Sequence, residues 1–73
     1  MRYFVTVIEG YALVLGQDFV EAFENASRLV GGWEKITVKD KEKKIITIHG
    51  PEYELDIIPV ELEEDTRLQR AEA

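Results

Sequence analysis

Runs of apolar, β-branched and aromatic residues on both sides of one helical segment predict β-strands there. Residues 2–9 are aromatic and β-branched with no Gly or Pro, and residues 11–16 follow directly after Gly10. A glycine between two such runs favours a β-hairpin. Residues 34–39, 44–49 and 53–58 are further runs of this kind. We expect Pro59 to end the last strand, because proline cannot donate to a strand ladder.

The apolar positions also predict how the last three strands pair. Setting Val38 opposite Ile46 keeps the apolar side chains on one face, whereas a two-residue loop would set Val38 opposite Ile45. A slip of one residue moves every side chain to the other face, so burial favours the first register. The same reasoning pairs Ile48 with Leu55 and Ile46 with Ile57.

Between the second and third strands, residues 18–30 change to a helical period. Asp18 is expected to be the N-cap, with Glu21 completing a pair that resembles a capping box. Glu24 and Arg28 are spaced to form an ion pair one turn apart. The apolar stripe at helical spacing consists of Phe19, Ala22, Phe23, Ala26, Leu29 and Val30. This stripe predicts an amphipathic helix with one face on the sheet.

The element order ββαβββ predicts an α+β fold, in which one helix packs on one face of an antiparallel sheet of four to five strands. Residues 1–60 are expected to form a single domain, followed by an acidic tail over residues 61–73 that is either a frayed helix or disordered. One helix covers only one face of a sheet, so the opposite face must meet water or another molecule. Two sets of side chains compete for that open face: Tyr3, Val5 and Val7, or Phe4, Thr6 and Ile8.

Composition excludes several kinds of chemistry. The chain has 73 residues with no cysteine and one histidine, so disulfides, Cys-type zinc sites and His-rich metal clusters cannot form. Ser27 lies within the predicted helix without a nucleophile-elbow pattern, and His49 is expected to lie opposite Glu54 on the solvent face. We therefore expect no catalytic residues, no metal, no cofactor and no enzymatic activity. No signal peptide or membrane span is evident, which favours a cytoplasmic protein without membrane contact.

Charge is distributed unevenly along the chain. The net charge is −6, and residues 52–65 carry seven acidic residues and no base. Such a stretch either keeps a small protein soluble or faces a protein partner with a basic surface. As a binding surface it makes the sequence typical of a small, non-enzymatic protein that occupies a partner's surface, such as an inhibitor. The candidate acidic residues for that role are Glu52, Glu54, Asp56, Glu61, Glu63 and Glu64.

A basic segment at residues 35–44 supports an alternative function. It carries five lysines against two acidic residues, and lysines near aromatic rings can bind single-stranded nucleic acid. The lysines are Lys35, Lys39, Lys41, Lys43 and Lys44. However, the overall negative charge and the absence of arginine here make nucleic acid the less favoured partner. A homo-oligomer that buries the open sheet face in a second copy is a third interpretation.

Trp33, the only tryptophan, follows Gly31 and Gly32 in the segment LVGGW. Gly31 is expected to cap the helix in the left-handed conformation. Trp33 then has two alternatives: it folds back on the last helical turn at Leu29 and Ala26, or it stands on the open sheet face. In the second case it would serve as an aromatic anchor for a partner.

The first 30 residues resemble the N-terminal part of HicB-type antitoxins. Those proteins open with an aromatic-rich strand and hairpin, followed by a helix of the kind TLEEALENA. The matching positions here are Asp18, Phe19, Glu21, Ala22, Phe23, Glu24, Asn25 and Ala26. The resemblance implies a hairpin-and-helix fold and an antitoxin-like role, and it transfers no functional residue to this chain. The small acidic strand–helix–strand pattern is also similar to phage-encoded inhibitors.

Overall fold

The computed structural model describes residues 1–61. It confirms the α+β fold with the order ββαβββ. The elements are β1 (Arg2–Ile8), β2 (Tyr11–Gly16), α1 (Phe19–Leu29), β3 (Lys35–Asp40), β4 (Ile45–His49) and β5 (Glu54–Glu61). Glu61, which we expected to begin the tail, is the last residue of β5, and the rest of the predicted tail lies outside the described residues.

The five strands form one antiparallel sheet in the order β2-β1-β5-β4-β3. The last strand is therefore central and joins two hairpins. Residues 54–57 of β5 pair with β4, whereas residues 58–61 pair with β1. Because each hairpin uses a different half of β5, the hairpins are offset along it, and the described part of the molecule is elongated, at 43 by 24 by 21 Å.

The predicted register of the last three strands is confirmed. Val38 lies opposite Ile46, and Ile46 lies opposite Ile57. The β3–β4 register shifts at Lys39, which has no partner of its own in the ladder. This bulge adds one unpaired residue to β3, so that Val38 lies opposite Ile46 and the apolar side chains stay on one face of the sheet.

Pro59 does not end the last strand, contrary to our expectation. It lies inside β5, opposite Phe4 of β1. The pairing with β4 stops at Ile57, so β5 has a neighbour on only one side at Pro59. A proline is tolerated where a strand is locally an edge, because its missing N–H then costs no ladder hydrogen bond.

The helix begins as predicted, although its polar contacts differ in two places. Asp18 accepts the Glu21 backbone N–H at 2.8 Å and is the N-cap. The Glu21 carboxylate accepts the backbone N–H of Gln17 at 3.0 Å instead of that of Asp18. Arg28 donates a hydrogen bond to the side chain of Asn25, whereas the sequence predicts an ion pair with Glu24.

The helix packs on β2, β1 and β5. The core it builds with the sheet consists of Leu15, Ala22, Ala26, Val30, Ile48 and Ile57. The helix is too narrow to bury all of its apolar stripe, so Phe19 and Leu29 remain about half exposed. On β1, Phe4 packs against this core and Thr6 is buried. The uncovered face of β1 therefore carries the alternate set, Tyr3, Val5 and Val7.

Candidate partner-binding site

Trp33 is positioned by the turn that ends α1. The N–H of Gly31 donates to the carbonyl of Arg28 at 3.1 Å, and the N–H of Gly32 donates to that of Ser27 at 2.7 Å. Together they form a Schellman motif, which requires the left-handed φ of 83° at Gly31. The backbone N–H of Trp33 then donates to the Ser27 hydroxyl at 3.2 Å. The end of the helix thus fixes the direction of the chain and the position of the Trp33 backbone, from which the indole side chain extends.

Four aromatic rings line one flank of the helix, in the sequence Phe4, Phe19, Phe23 and Trp33. We call these four residues the aromatic row. Their consecutive ring centroids are 5.9, 6.0 and 5.7 Å apart. Phe4 with Phe19 and Phe23 with Trp33 adopt edge-to-face angles of 74° and 66°, the arrangement that aromatic pairs prefer. The row extends the apolar surface from the core to the helix end.

Of the two predicted positions for Trp33, the one folded back on the helix is closer to the structure. Its ring contacts Phe23 on the helix side of the sheet, so it is not on the uncovered face. The ring contact found is one turn earlier than Leu29 and Ala26, and Trp33 stays 49% exposed. The Schellman turn sends the chain across the Phe23 side of the helix, which explains the difference. Trp33 is an aromatic side chain held in one place while half of it faces solvent.

A shallow groove of about 610 Å³ lies beside Trp33. Its walls are Phe23 and Trp33 on one side and the backbone of Gly31 and Gly32 at the end. Glu24, Ser27 and Arg28 supply a polar rim. Aromatic side chains beside a polar rim are the composition of a protein-binding hot spot. Sequence reasoning missed Phe23 and Ser27 in this role, since their contribution depends on the direction of the turn after the helix.

The acidic candidates do not form one acidic surface. Glu54 contacts His49 at 3.0 Å, Asp56 contacts Lys39 at 2.5 Å, and Glu61 lies 3.8 Å from Arg2. By strand parity Glu61 also lies on the opposite face of β5 from the other two. Glu52 is exposed in the turn before β5, and Glu63 and Glu64 lie outside the described residues. Lys39 and Arg2 of the same molecule thus offset part of the negative charge in residues 52–61.

Asp56 is the most constrained of these acids. Thr47, which is buried, donates to it at 2.8 Å, and Lys39 reaches it from the bulge of β3. Burial alone would raise the pKa of Asp56, but hydrogen bonds from Lys39 and Thr47 outweigh it and hold this pKa below its usual value. The hydrogen bond to Asp56 raises the pKa of Lys39. Asp56 therefore works as a cross-strand structural contact.

His49 lies opposite Glu54, as predicted from the register. Its Nδ1 is 3.0 Å from the Glu54 carboxylate and its Nε2 is 2.9 Å from the Thr37 hydroxyl. Hydroxyl, imidazole and carboxylate are ordered as in nucleophilic triads. However, the three side chains stand on the neighbouring strands β3, β4 and β5, and of the three only Glu54 lines one of the grooves found in residues 1–61. We assign them to cross-strand stabilisation.

The lysines of the basic segment are spread along an exposed hairpin. Lys35 starts β3 opposite His49, whereas Lys41, Lys43 and Lys44 occupy the β3–β4 turn. The turn lies at the far end of β3 from Trp33, about 20 Å away at the rise of a strand. Lys39 lies between them and is paired with Asp56. The lysines and the aromatic row therefore do not form one stacking surface.

Residues 1–61 hold no cluster of three or more His, Asp or Glu side chains arranged for a metal ion. In the same part of the chain, α1 has neither the length nor the hydropathy to cross a membrane. No protein-family model, curated protein or solved structure matches this chain. The candidate site therefore stands on its geometry alone.

Proposed function

We propose that this protein is a small non-enzymatic binding module that inhibits or antagonises a partner protein by occupying its surface. The observation that carries the proposal is the half-exposed Trp33, which is held by Phe23 and Ser27 beside a groove. Ordering an exposed side chain on binding costs about 0.5–1.5 kcal/mol. A tryptophan that is already ordered avoids much of this cost, which is why fixed aromatic residues make good anchors.

We propose Trp33 as the centre of binding in preference to the acidic stretch. Glu54, Asp56 and Glu61 already have basic neighbours, so a basic partner would have to compete with Lys39, His49 and Arg2. The rim of the groove instead carries one acid, Glu24, and one base, Arg28. Such a rim favours a partner surface that is apolar at its centre and mixed in charge around it.

Capture of binding proteins from cells of the native host, with wild-type and variant baits, tests the proposal. Trp33→Ala is expected to weaken binding of the captured protein at least about 30-fold, the effect of a hot-spot residue. Tyr53→Ala is the matched control, because Tyr53 is an exposed aromatic residue outside the aromatic row. With the purified partner, emission from the single tryptophan should change on binding, and the partner's activity should fall.

Two other results would redirect the proposal. Charge reversal of Glu52, Glu54 and Glu61 leaves the Asp56–Thr47 contact intact, and a loss of binding in this variant would restore the acidic surface as the binding centre. Salt-dependent binding to oligonucleotides that is lost when Lys41, Lys43 and Lys44 are changed would support nucleic acid as the partner. Equal binding of the partner by wild-type and Trp33→Ala protein would contradict the Trp33 site.

A further inference from the structure

The two edge strands of the sheet are protected very differently. The outer strand β3 carries Lys35, Lys39 and Asp40 and is interrupted by a bulge. Charges and bulges are the devices that keep an exposed edge from pairing with another strand. The opposite edge, β2, also has a bulge, at Leu15, but from Tyr11 to Gln17 it has neither charge nor proline. Among residues 1–61, the stretch of β2 before its bulge, Tyr11 to Val14, is therefore the less protected edge.

Hairpin geometry determines which backbone groups of β2 point outwards. Glu9 and Gly10 both have positive φ, at 52° and 84°, which is the signature of a type I′ turn. In such a hairpin the closing pair, here Ile8 with Tyr11, is hydrogen-bonded, and the next pair along is not. The backbone N–H and C=O groups of Ala12 and Val14 therefore point away from β1.

The end of the β2 edge is already occupied within the molecule. Asn25 of the helix donates its side-chain amide to the carbonyl oxygen of Leu15 at 2.7 Å. Within residues 1–61, this contact leaves Tyr11, Ala12, Leu13 and Val14 as the free edge. All four are exposed.

We propose that the free edge of β2 pairs antiparallel with the β2 edge of a second copy of this chain, around a two-fold axis at Leu13. In this register Ala12 exchanges backbone hydrogen bonds with the second copy's Val14, and Val14 with the second copy's Ala12. These are the residues whose groups point outwards, so donors and acceptors match without a shift. The two Leu13 residues then face each other as a non-hydrogen-bonded pair, in which side chains are closest. The result is one ten-stranded sheet.

A second copy suits this edge better than a different protein, because the segment is self-complementary. A two-fold interface uses the same patch on both subunits, and an uncharged patch creates no like-charge repulsion when it meets itself. This matters for a chain of net charge −6, since two copies repel wherever their charged surfaces approach. The interface is separate from the Trp33 groove, and its failure would leave the proposed function intact.

Apolar surface continues across the junction on both sides of the sheet. On the helix side, Leu13 lines a groove of about 360 Å³ with Leu15 and Leu29, next to Asn25 and Arg28, and the axis would bring this groove next to its counterpart. On the uncovered face, Val14 is 60% exposed and would stand beside the second copy's Ala12. Strand pairing over four residues buries less area than a standard interface, so we expect a weak, concentration-dependent dimer.

Sedimentation velocity of wild-type protein and two matched lysine variants tests the proposal. Leu13 and Ile36 are 42% and 41% exposed, both on edge strands. Leu13→Lys sets two positive charges opposite each other at the axis and should weaken dimerisation at least about tenfold. Ile36→Lys makes the same chemical change on the other edge and should leave it unaltered. Val7→Lys, on the uncovered face, should also leave it unaltered, whereas a dimer through that face would be lost.

Two further variants report on the axis itself. A mixture of Leu13→Lys and Leu13→Glu proteins should recover the dimer that each has lost alone. The chain has no cysteine, so Leu13→Cys supplies a single thiol. Two such residues at a non-hydrogen-bonded antiparallel pair are about 4.5 Å apart at Cα, within disulfide reach. Mild oxidation should therefore cross-link Leu13→Cys and not Ile36→Cys. A wild-type monomer up to about 1 mM, or equal effects of the Leu13 and Ile36 variants, would overturn the proposal.

Discussion

Gly50 lies directly against Val30, the residue that caps the C-terminus of the helix. A Cβ atom at position 50 would come within 2.1 Å of the Val30 carbonyl oxygen and 2.8 Å of its side chain. The Gly50 N–H also donates to Tyr53 at 2.8 Å in the turn before β5. The helix end and the β4–β5 turn therefore touch through backbone atoms, and this contact is available only to glycine.

Gly50→Ala is expected to destabilise the protein by about 3 kcal/mol or more, because backbone on one side of the contact must move. Urea denaturation measures the loss. Gly10→Ala is the control: its φ is 84°, but a Cβ there meets nothing within 4 Å. It should cost only the left-handed strain, about 1 kcal/mol. Equal losses in the two variants would contradict the close approach of Gly50 and Val30.

The same substitution at two buried threonines should have opposite effects. The Thr6 hydroxyl is buried without a hydrogen-bond partner among the described residues, whereas that of Thr47 donates to Asp56. Thr6→Val removes an unsatisfied polar group and should stabilise the protein by about 1 kcal/mol. Thr47→Val breaks a hydrogen bond and should destabilise it by a similar amount. Thermal unfolding of both variants checks the sign, and destabilisation by Thr6→Val would show that its hydroxyl has a partner.

The Lys39–Asp56 pair should stabilise the fold over a defined range of pH. The pKa of Asp56 is lowered in the fold, so its contribution is present above its ordinary value of 3.8 and is lost as the pH falls below that value. The pKa of Lys39 is raised, so its contribution is present below 10.5 and is lost as the pH rises past that value. Between these limits the pair is intact.

Asp56→Asn tests this range through the free energy of unfolding measured against pH. The variant should lose about 1 kcal/mol near neutral pH, because Thr47 then donates to a neutral amide oxygen or to none. The difference from wild type should shrink as the pH falls below 3.8, where Asp56 is protonated in the unfolded chain. Lys39→Met should cost less than Asp56→Asn, since the Lys39 side chain is mostly exposed. A difference that does not depend on acid pH would contradict the lowered pKa.

Phe23 should control the exposure of Trp33. Its ring is 5.7 Å from that of Trp33 and supplies the edge-to-face contact. Phe23→Ala should shift the tryptophan emission to longer wavelength and increase its quenching by iodide, with a loss of about 2 kcal/mol of stability. Phe19→Ala is the control, because Phe19 stacks on Phe23 and Phe4 but not on Trp33. Unchanged quenching in Phe23→Ala would show that Trp33 is held by its backbone alone.

The sequence predicts the local parts of this fold well because short-range patterns determine them. Val38, Ile46 and Ile57 could be aligned since only one register keeps them on one face. Asp18 and Gly31 predict the two ends of the helix. The side-chain oxygen of Asp18 accepts a backbone N–H that has no partner within the helix. Gly31 adopts the positive φ that the turn after the helix requires. Each of these features depends on residues close together in the chain or on two strands joined by one turn.

Local sequence patterns do not determine the contacts between residues that lie far apart in the chain. The pairing of β1 with β5 joins residues more than 50 positions apart, and both faces of β1 are largely apolar, so its pattern does not select a neighbour. Pro59 was misread for the same reason, because its tolerance depends on where β4 stops. The aromatic row was missed since Trp33 meets Phe23 only through the Schellman turn. The position of the candidate site thus follows from tertiary structure that no local pattern encodes.

The central place of β5 has a consequence for how the chain folds during synthesis. The hairpins β1–β2 and β3–β4 form from neighbouring residues, but within the sheet they are joined only through residues 54–61. A ribosome releases those residues after everything that pairs with them. The halves therefore wait as separate pieces until the last strand emerges, and a nascent chain stalled before residue 54 cannot form the complete sheet.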